Sequence, residues 1–303
     1  MTWNSSNIPS QINKRILITG ANSGIGLEAA KILASKGAEL ILAVRDLKKG
    51  RQAQEEIQRI TPKAKTSLLP LDLADLTSVT QCIKRLMDDG RPIDTLINNA
   101  GVMQFDKRKQ TQQGYELMWG TNHLGHFALT AGILPLLEKS HSGRIVTLSS
   151  LVAKFKAADI YYDDLNFEAS YDKMAAYAQS KLANVMIASE LQDRLSQIGS
   201  SVISVAAHPG YTATNLQQHM GLSGIIMNSL FAQKVSMGAL PTLMAATDDS
   251  LKGGEYIGPM KMKNYRGYPG KNQLPQAAMD PQQRKRLWHK TEEILGISFL
   301  PSA

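Results

Sequence analysis

Tyr177 and Lys181, four positions apart, are the residues of this sequence whose types and spacing point most directly to chemistry. They lie in a segment with helical periodicity over residues 171–195, and positions four apart share a helix face. A phenol with an ordinary pKa of about 10 is a poor acid or base at neutral pH. A nearby cation lowers that pKa, so the pair predicts proton transfer by Tyr177 assisted by Lys181.

A glycine-rich turn with the sequence TGANSGIG occupies residues 19–26. Gly20 permits a sharp exit from a strand, Gly24 lets the backbone approach a pyrophosphate, and Gly26 lets a helix pack closely. Free N–H groups at the helix start face the phosphates. A glycine-rich loop alone could be an ordinary turn, but its place between a predicted strand and a predicted helix indicates a dinucleotide site. The residues of this turn that we expect to bind the cofactor are Gly20, Asn22, Ser23, Gly24, Ile25 and Gly26.

The end of the second predicted strand bears on the choice between NAD and NADP. An acid at this tip takes the ribose hydroxyls of NAD, whereas an arginine accommodates the 2′-phosphate of NADP. Val44 stands where the acid would be, and Arg45 follows it. We therefore expect NADP(H) to be preferred over NAD(H). In the alternative interpretation, Arg45 lies in water and Asp46 simply begins the next helix.

Two further segments follow predicted strands and fit the adenosine part of a dinucleotide. The Asp72 carboxylate could accept a hydrogen bond from the adenine amino group, with Leu73 along the ring; alternatively Asp72 caps the next helix. Asn99, Ala100 and Gly101 are small enough for the backbone to lie against the adenosine. The asparagines there could instead tie neighbouring loops together.

Short apolar segments alternate with amphipathic ones along the chain, which predicts an α/β protein. Strands are predicted over residues 15–19, 39–44, 67–71, 93–97, 144–148 and 201–206, and helices over 24–36, 47–60, 76–88, 114–138 and 171–195. This alternation is typical of a single-domain Rossmann fold: a doubly wound, mostly parallel sheet with helices on both faces. Residues 1–13 form an N-terminal arm, and residues 14–303 form the domain.

Two predicted loops, 152–172 and 212–235, leave the carboxyl ends of strands, where ligands of such sheets bind. The second is the expected substrate loop. Aromatic and methionine side chains in these segments suggest an apolar or aromatic substrate, although side chains of these types could equally belong to the core. The possible lining residues are Phe155, Tyr211, Leu216, Met220 and Leu222.

Composition excludes several classes of function. The net charge of +8 is spread along the chain, and no nucleic-acid motif accompanies it, so we expect no nucleic-acid partner. No apolar run approaches the ~18 residues of a membrane-spanning helix. The one cysteine, Cys82, lies in an apolar-periodic stretch that indicates a core position, and it allows no intrachain disulfide. Both observations fit a cytoplasmic protein.

These motifs together resemble the short-chain dehydrogenase/reductase family, and they cover nearly the whole chain. Within it, the sequence is most similar to the branch that holds retinol dehydrogenases, WW-domain oxidoreductases and protochlorophyllide reductases. The residues that carry the resemblance are 19–26, 98–101, TNHLGHF at 121–127, Ser149-Ser150, 177–181 and HPGYT at 208–212.

The resemblance implies a role for each residue of a catalytic group. Tyr177 would be the proton donor in reduction and the base in oxidation, and Lys181 would lower its pKa and bind the nicotinamide ribose. Ser150 would stabilise the substrate oxygen, with Ser149 as the alternative. Asn122 would hold a water that links Lys181 to solvent.

The resemblance also assigns the turn after the sixth strand. Pro209 and Gly210 would seat the nicotinamide, and Thr212 would donate to its carboxamide. It implies metal-free chemistry, because the cofactor carries the redox step. His123 and His126 fit packing better than a metal site, since no third ligand accompanies them at a recognisable spacing.

The sequence thus predicts an NADP(H)-dependent reductase or dehydrogenase that acts on a small-molecule carbonyl or alcohol. One alternative is an NADP-dependent epimerase or dehydratase with the same tyrosine and lysine, although such relatives usually carry a larger C-terminal substrate domain. A second is a non-catalytic cofactor-sensing interaction protein, because fold does not fix function. The family resemblance suggests a homodimer or tetramer, and it does not identify the substrate.

Overall fold

The central sheet contains the six strands that the sequence predicted and two that it did not. The computed structural model describes residues 2–103, 105–212 and 232–301. Its strands are β1 (Arg15–Thr19), β2 (Glu39–Val44), β3 (Lys65–Pro70), β4 (Thr95–Asn98), β5 (Arg144–Leu148), β6 (Ile203–Ala207), β7 (Tyr256–Lys261) and β8 (Arg266–Asn272). Their order in the sheet is β3-β2-β1-β4-β5-β6-β7-β8, and only the β7–β8 pair among them is antiparallel. The predicted mostly parallel, doubly wound sheet is confirmed.

Helices cover both faces of the sheet. They are α1 (Gly24–Ser35), α2 (Leu47–Ile60), α3 (Leu76–Asp89), α4 (Gly125–Glu138), α5 (Lys173–Gln197), α6 (Val235–Thr247), α7 (Gln276–Met279) and α8 (Pro281–Leu295). Apolar side chains of α1, α2 and α6 form one core with the sheet, and those of α3, α4, α5 and α8 form the other. Because both faces are covered, every residue of β1, β4 and β5 is buried.

Aspartates begin four of the long helices. Asp46, Asp75, Asp172 and Asp280 each accept backbone N–H groups of the first turn of α2, α3, α5 and α8, respectively. The alternative that Asp72 caps α3 is therefore wrong. Its Oδ1 accepts from the N–H of Ala74 at 3.0 Å, which turns the chain between β3 and the capping residue.

Two segments differ from the sequence prediction for physical reasons. The hairpin of β7 and β8 escaped prediction because glycines and prolines interrupt its apolar pattern. Pro259 lies opposite Pro269 in this pair, near the edge of the sheet, where a missing N–H is tolerated. The segment predicted as one helix over 114–138 contains a π-helical turn, Trp119–Leu124, immediately before α4.

The C-terminal segment is attached to α5 through Arg194. Its guanidinium stacks over Trp288 of α8, with 4.5 Å from the guanidinium carbon to the ring centroid. Nε donates to Glu190 Oε1 at 2.9 Å, and Nη1 donates to the carbonyl of Pro301 at 3.0 Å. Glu190 and Arg194 are both almost completely buried. This arrangement joins α5, α8 and the last described residues.

The N-terminal residues and the cysteine both contact the folded domain. Ile8 is buried in the core that contains α1, and the Gln11 N–H donates to the carbonyl of Lys36 at 2.8 Å. Cys82 is buried in the other core, as its apolar surroundings in the sequence predicted. Of the helices in the described ranges, none combines the length and apolarity that crossing a bilayer requires.

Candidate active site

A cleft with a volume of about 640 Å³ lies along the carboxyl ends of β1 to β6. It brings together most of the residues that the sequence assigned to a cofactor: Gly20, Asn22, Ser23, Gly24, Ile25, Gly26, Arg45, Asp72, Leu73, Asn99, Ala100, Gly101, Tyr177, Lys181 and Pro209. Sequence reasoning missed other lining residues, which are Thr19, Ala43, Asp46, Lys49, Leu71, Val102, Thr121 and Leu148.

The glycine-rich turn has the tight geometry that its sequence predicts. Gly20 has a φ of +65°, and a Cβ there would lie 2.9 Å from the Cα of Ala100. A Cβ on Gly26 would lie 2.6 Å from the carbonyl oxygen of Gly20 and would overlap the Asn99 amide. Ser23 precedes α1, yet its side chain makes no capping bond. The first N–H groups of α1 are therefore available to an anion in the cleft.

The Asn99 side chain ties the β4 exit to the β1 exit. Its Nδ2 donates to the carbonyl of Thr19 at 2.7 Å, and Asn98 Nδ2 donates to Thr130 Oγ1 at 2.9 Å. Thr19 Oγ1 accepts from the backbone N–H groups of Asn99 and Ala100, both at 2.9 Å. Asn99 therefore joins the two loops, as the alternative interpretation held, whereas Asn98 ties β4 to α4; the cleft is bordered by Asn99 and Ala100.

Two cations border the cleft at the end of β2. Arg45 and Lys49 are exposed lining residues, and the Asp46 carboxylate beside them accepts from the N–H groups of Lys48 and Lys49. Those backbone hydrogen bonds hold the pKa of Asp46 below its ordinary value. Asp46 therefore begins α2, as the alternative interpretation held, and Arg45 borders the cleft as well. Sequence reasoning missed Lys49, although its position in the first helical turn after Arg45 could have indicated a second cation at this end of the cleft.

Tyr177 and Lys181 lie on one face of α5 at the other end of the cleft. Lys181 Nζ is 5.9 Å from the centre of the Tyr177 ring. Lys181 is 5% exposed and Tyr177 is 8% exposed. Burial lowers the pKa of Lys181 to about 8. Burial raises the pKa of Tyr177, and a hydrogen bond with Ser150 acts in the opposite direction. The net shift at Tyr177 is upward, opposite to the lowering expected from a neighbouring cation.

The two serines after β5 have different partners. Ser149 Oγ donates to the backbone carbonyl of Lys181 at 2.6 Å and so joins β5 to α5. The Ser150 hydroxyl contacts the Tyr177 phenol and is 3.5 Å from the N–H of Val152. Ser150 is therefore the serine beside the reactive phenol, whereas Ser149 is the one of the two that lines the cleft.

The side chain of Asn122 bonds to the protein through both its oxygen and its nitrogen. Its Oδ1 accepts from the N–H of Val102 at 2.8 Å, and its Nδ2 donates to the Val102 carbonyl and to Ser180 Oγ, at 2.9 and 3.0 Å. Asn122 lies in the π-helical turn and is buried. The amide thus fixes the β4 exit against α5, and the role of Asn122 in holding a water stays a prediction.

The turn after β6 contributes one of its three predicted residues to the cleft. Pro209 borders it, whereas Gly210 and Thr212 do not. Gly210 has a φ of +67° and packs against the backbone of Tyr265, and Thr212 Oγ1 donates to the Pro209 carbonyl at 2.8 Å. Thr212 thus fixes the turn that presents Pro209.

His123 and His126 are buried in and beside the π-helical turn. Burial lowers the pKa of His123 to about 3 and that of His126 to about 4. Their ring nitrogens contact Thr291 and Thr19 hydroxyls at 3.0 and 2.9 Å. Within the described residues, no group of three or more His, Cys, Asp or Glu side chains could hold a metal ion.

An apolar cluster surrounds Tyr177. Its buried members besides Tyr177 are Met118, Phe167 and Ala176, and its partly buried members are Val102, Met103, Phe105, Val152, Tyr171 and Ala175. Of the lining residues suggested by the sequence, Phe155 is 43% exposed and the backbone of Tyr211 bonds to Tyr265. Leu216, Met220 and Leu222 lie outside the described residues.

Comparisons with known proteins agree with this arrangement. Residues 14–162 match the model of a family described as short chain dehydrogenase. Human retinol dehydrogenase 13 is 37% identical over 94% of this chain and 85% of its own length. The chloroplastic short-chain dehydrogenase TIC 32 B of Brassica napus is 38% identical over 80% of this chain and 78% of its own.

Solved structures extend the likeness to three dimensions. An uncharacterized protein from Mycobacterium paratuberculosis superposes with a TM-score of 0.81 at 36% identity, over 99% of this chain and 100% of its own. A short chain dehydrogenase from Shigella flexneri, complexed with NADP, gives a TM-score of 0.66 at 26% identity, over 82% and 98%.

Proposed function

Because this chain belongs to the short-chain dehydrogenase/reductase family, we propose that it is an NADP(H)-dependent enzyme that interconverts an apolar carbonyl compound and its alcohol. The oxidoreductase class acting on CH–OH or C=O groups follows from the family; the cofactor preference, the acid/base residue and the substrate are our proposals. One observation carries them: a single cleft joins the glycine-rich turn at one end to Tyr177 and Lys181 at the other.

The residues of the cleft fit a dinucleotide. A side chain on Gly20 would collide with Ala100 and one on Gly26 with Asn99, so only glycine allows the tight course of this turn along the cleft, and Ser23 leaves the first N–H groups of α1 uncapped. These groups would hold the pyrophosphate, and Asp72 and Leu73 would border the adenine. When bound, the nicotinamide ring supplies or accepts the hydride.

The chain itself would handle the proton. A phenol is protonated at neutral pH, and burial raises the pKa of Tyr177 further, so Tyr177 would be the proton donor to a carbonyl oxygen, with Lys181 and Ser150 offsetting the weaker acidity that burial causes. The Ser150 hydroxyl beside it would donate a second hydrogen bond to the same oxygen as negative charge develops there. Lys181, on the same helix face, would stabilise the phenolate once the proton has left.

Arg45 and Lys49 support the preference for NADP(H). Both border the cleft beyond β2, where a 2′-phosphate would add negative charge. The Asp46 carboxylate beside them is bound to the N–H groups of α2. Solved relatives described as bound to NADP are consistent with this proposal.

The apolar cluster around Tyr177 supports an apolar or aromatic substrate. Several relatives bear the name retinol dehydrogenase, which is the name of an enzyme for a largely hydrocarbon alcohol. For this chain we propose the broader class of apolar aldehydes, ketones and their alcohols. We also propose a cytoplasmic homodimer or tetramer, to be checked by cell fractionation and by light scattering of the purified protein.

Turnover with a panel of carbonyl compounds tests the proposal. Purified protein should oxidise NADPH with apolar aldehydes or ketones, and Tyr177→Phe should reduce kcat by roughly 10²–10⁴-fold while NADPH affinity is retained. Full activity in Tyr177→Phe would remove this residue from its role. Thermal stabilisation by NADPH without turnover on any compound would favour a cofactor-sensing protein. An altered stereocentre with no net NADPH oxidation would favour an epimerase.

A further inference from the structure

His126 lies where three segments of the cleft meet. Its Nε2 is 2.9 Å from Thr19 Oγ1, at the start of the glycine-rich turn, and its Nδ1 is 3.0 Å from the backbone oxygen of Asn122. Thr19 Oγ1 also accepts from the N–H groups of Asn99 and Ala100, both at 2.9 Å. A single imidazole therefore stands between the β1 exit, the β4 exit and the π-helical turn.

Counting hydrogens assigns the direction of each bond. A threonine hydroxyl has one hydrogen and two lone pairs. The N–H groups of Asn99 and Ala100 both point at the lone pairs of Thr19 Oγ1, the first of them shared with the Ile97 carbonyl, so the hydroxyl offers His126 its hydrogen. The competing acceptor for that hydrogen, the Ile97 carbonyl, is farther away at 3.4 Å.

The other ring nitrogen faces an atom that has no hydrogen. The backbone oxygen of Asn122 only accepts, so Nδ1 of His126 must carry a hydrogen. A second hydrogen on Nε2 would give a buried charged ring pointing at a hydroxyl whose lone pairs are filled. Burial disfavours that form by lowering the pKa of His126 to about 4, and the charge of Lys181 acts in the same direction.

We propose that His126 is a positioning residue, held as the neutral Nδ1–H tautomer, that couples the glycine-rich turn to the π-helical turn of Asn122. The hydrogen bonds then run in one direction, from the N–H groups of Asn99 and Ala100 to Thr19, from the Thr19 hydroxyl to His126, and from His126 to Asn122. The coupling fixes the cofactor end of the cleft relative to the segment beside Lys181. The inference rests on the proposed function only for its effect on cofactor binding.

His123 provides the contrast within the same segment. Its Nε2 is 3.0 Å from Thr291 Oγ1, and that hydroxyl donates its one hydrogen to the Leu287 carbonyl at 2.8 Å. The Asn184 side chain also forms a hydrogen bond with His123. The two buried histidines, three residues apart, serve different elements: His123 is tied to α8 and His126 to the cleft.

The tautomers can be measured directly in the wild-type protein. In protein labelled with ¹⁵N-histidine, a ring nitrogen that carries a hydrogen resonates far from one that does not. The resonances are assigned with His123→Phe and His126→Phe. We expect hydrogen on Nδ1 of His126 at neutral pH. Hydrogen on Nε2 of His126 would overturn the proposal, whether or not the protein binds NADPH.

Matched variants then test the coupling. NADPH affinity, measured by fluorescence titration, should fall about tenfold in His126→Phe because buried groups lose their partners. His123→Phe should lower thermal stability and leave this affinity within about twofold. Thr19→Val should weaken binding as His126→Phe does, and the double variant should be no weaker than either single variant. Additive losses, or equal losses in both histidine variants, would contradict the coupling. Wild-type protein that binds no NADPH would instead count against the proposed function.

Discussion

The two ends of the cleft are built differently: one from backbone groups and exposed cations, the other from buried side chains. The end near the glycine-rich turn is built from backbone groups and exposed cations, with Arg45 and Lys49 in contact with solvent. The end near Tyr177 is built from buried side chains whose pKa values burial shifts toward the neutral forms. The first end depends on local geometry, whereas the second depends on the packing of distant segments around it.

After the loss expected for Tyr177→Phe, the largest effect is also at the buried end and separates the two serines. Ser150→Ala should lower kcat by about 10²–10³-fold, because it removes a hydrogen-bond donor to the developing oxyanion. Ser149→Ala should lower thermal stability more than Ser150→Ala does, since it breaks the tie to the Lys181 carbonyl. Steady-state kinetics and thermal unfolding of both variants measure this. If instead Ser149→Ala lowers kcat strongly and Ser150→Ala mainly lowers thermal stability, Ser149 is the catalytic serine.

Burial of Lys181 should appear as a pH dependence of stability. Its pKa is about 8 in the folded protein and lowered from 10.5 by burial, so between these values the unfolded state binds more protons and the free energy of unfolding rises with pH. At 1.36 kcal/mol per pKa unit, the free energy of unfolding of the wild type should rise across this pH range by up to about 3 kcal/mol more than that of Lys181→Met.

Urea unfolding between about pH 7 and pH 10 measures this difference for wild type and Lys181→Met. Lys173→Met, at an exposed position of the same helix, is the matched control and should follow the wild-type pH dependence. Parallel curves for wild type and Lys181→Met would show that the ammonium is hydrated in the folded protein.

At the other end of the cleft, Gly26→Ala tests the backbone geometry. An added methyl group would lie 2.6 Å from the Gly20 carbonyl oxygen, and overpacking of this kind costs about 1–3 kcal/mol. NADPH affinity should fall roughly 5- to 150-fold. Gly132→Ala in α4 adds a methyl group that meets Ile83, away from the cleft, and should affect stability only. Equal NADPH affinity in both variants would show that the backbone geometry at Gly26 does not control cofactor binding.

The smallest expected effect concerns the exposed cations. Arg45→Leu should weaken NADPH binding about tenfold at low salt and NADH binding much less, because only NADPH carries the 2′-phosphate. The difference should shrink as salt screens the exposed charge. Arg51→Leu, exposed on α2 and outside the cleft, is the control. A salt-independent loss would indicate that Arg45 acts by packing.

The same contrast explains what the sequence could predict. Gly20 and Gly26 were assigned correctly to a tight turn because their role needs only local backbone conformation. The upward shift in the pKa of Tyr177 was not predictable, since it depends on Phe167 and Met118, which come from other segments and bury the ring. The spacing of Tyr177 and Lys181 predicted that they share a helix face, but it did not predict which residues surround them.

Two details of the fold show the same limit. Both Asp72 and Asp75 are suitable helix caps by residue type, and only the path of the chain after β3 decides that Asp75 accepts the N–H groups of α3. The strand β7 contains Gly258 and Pro259, which argue against a strand locally, yet pairing with β6 and β8 on either side holds it in the sheet. Contacts between distant segments override local preference in both cases.

The attachment of the C-terminal segment to Arg194 has a consequence for synthesis on the ribosome. Arg194 and Pro301 are separated by 107 residues, which at 5–20 residues per second take roughly 5–20 s to translate. During that interval α5 has emerged, but α8 is not yet available to cover the Glu190–Arg194 pair or the apolar surface around it. We expect the nascent chain to expose this face until the segment through Pro301 has emerged, so chaperone demand should depend on the speed at which the residues between Arg194 and Pro301 are translated.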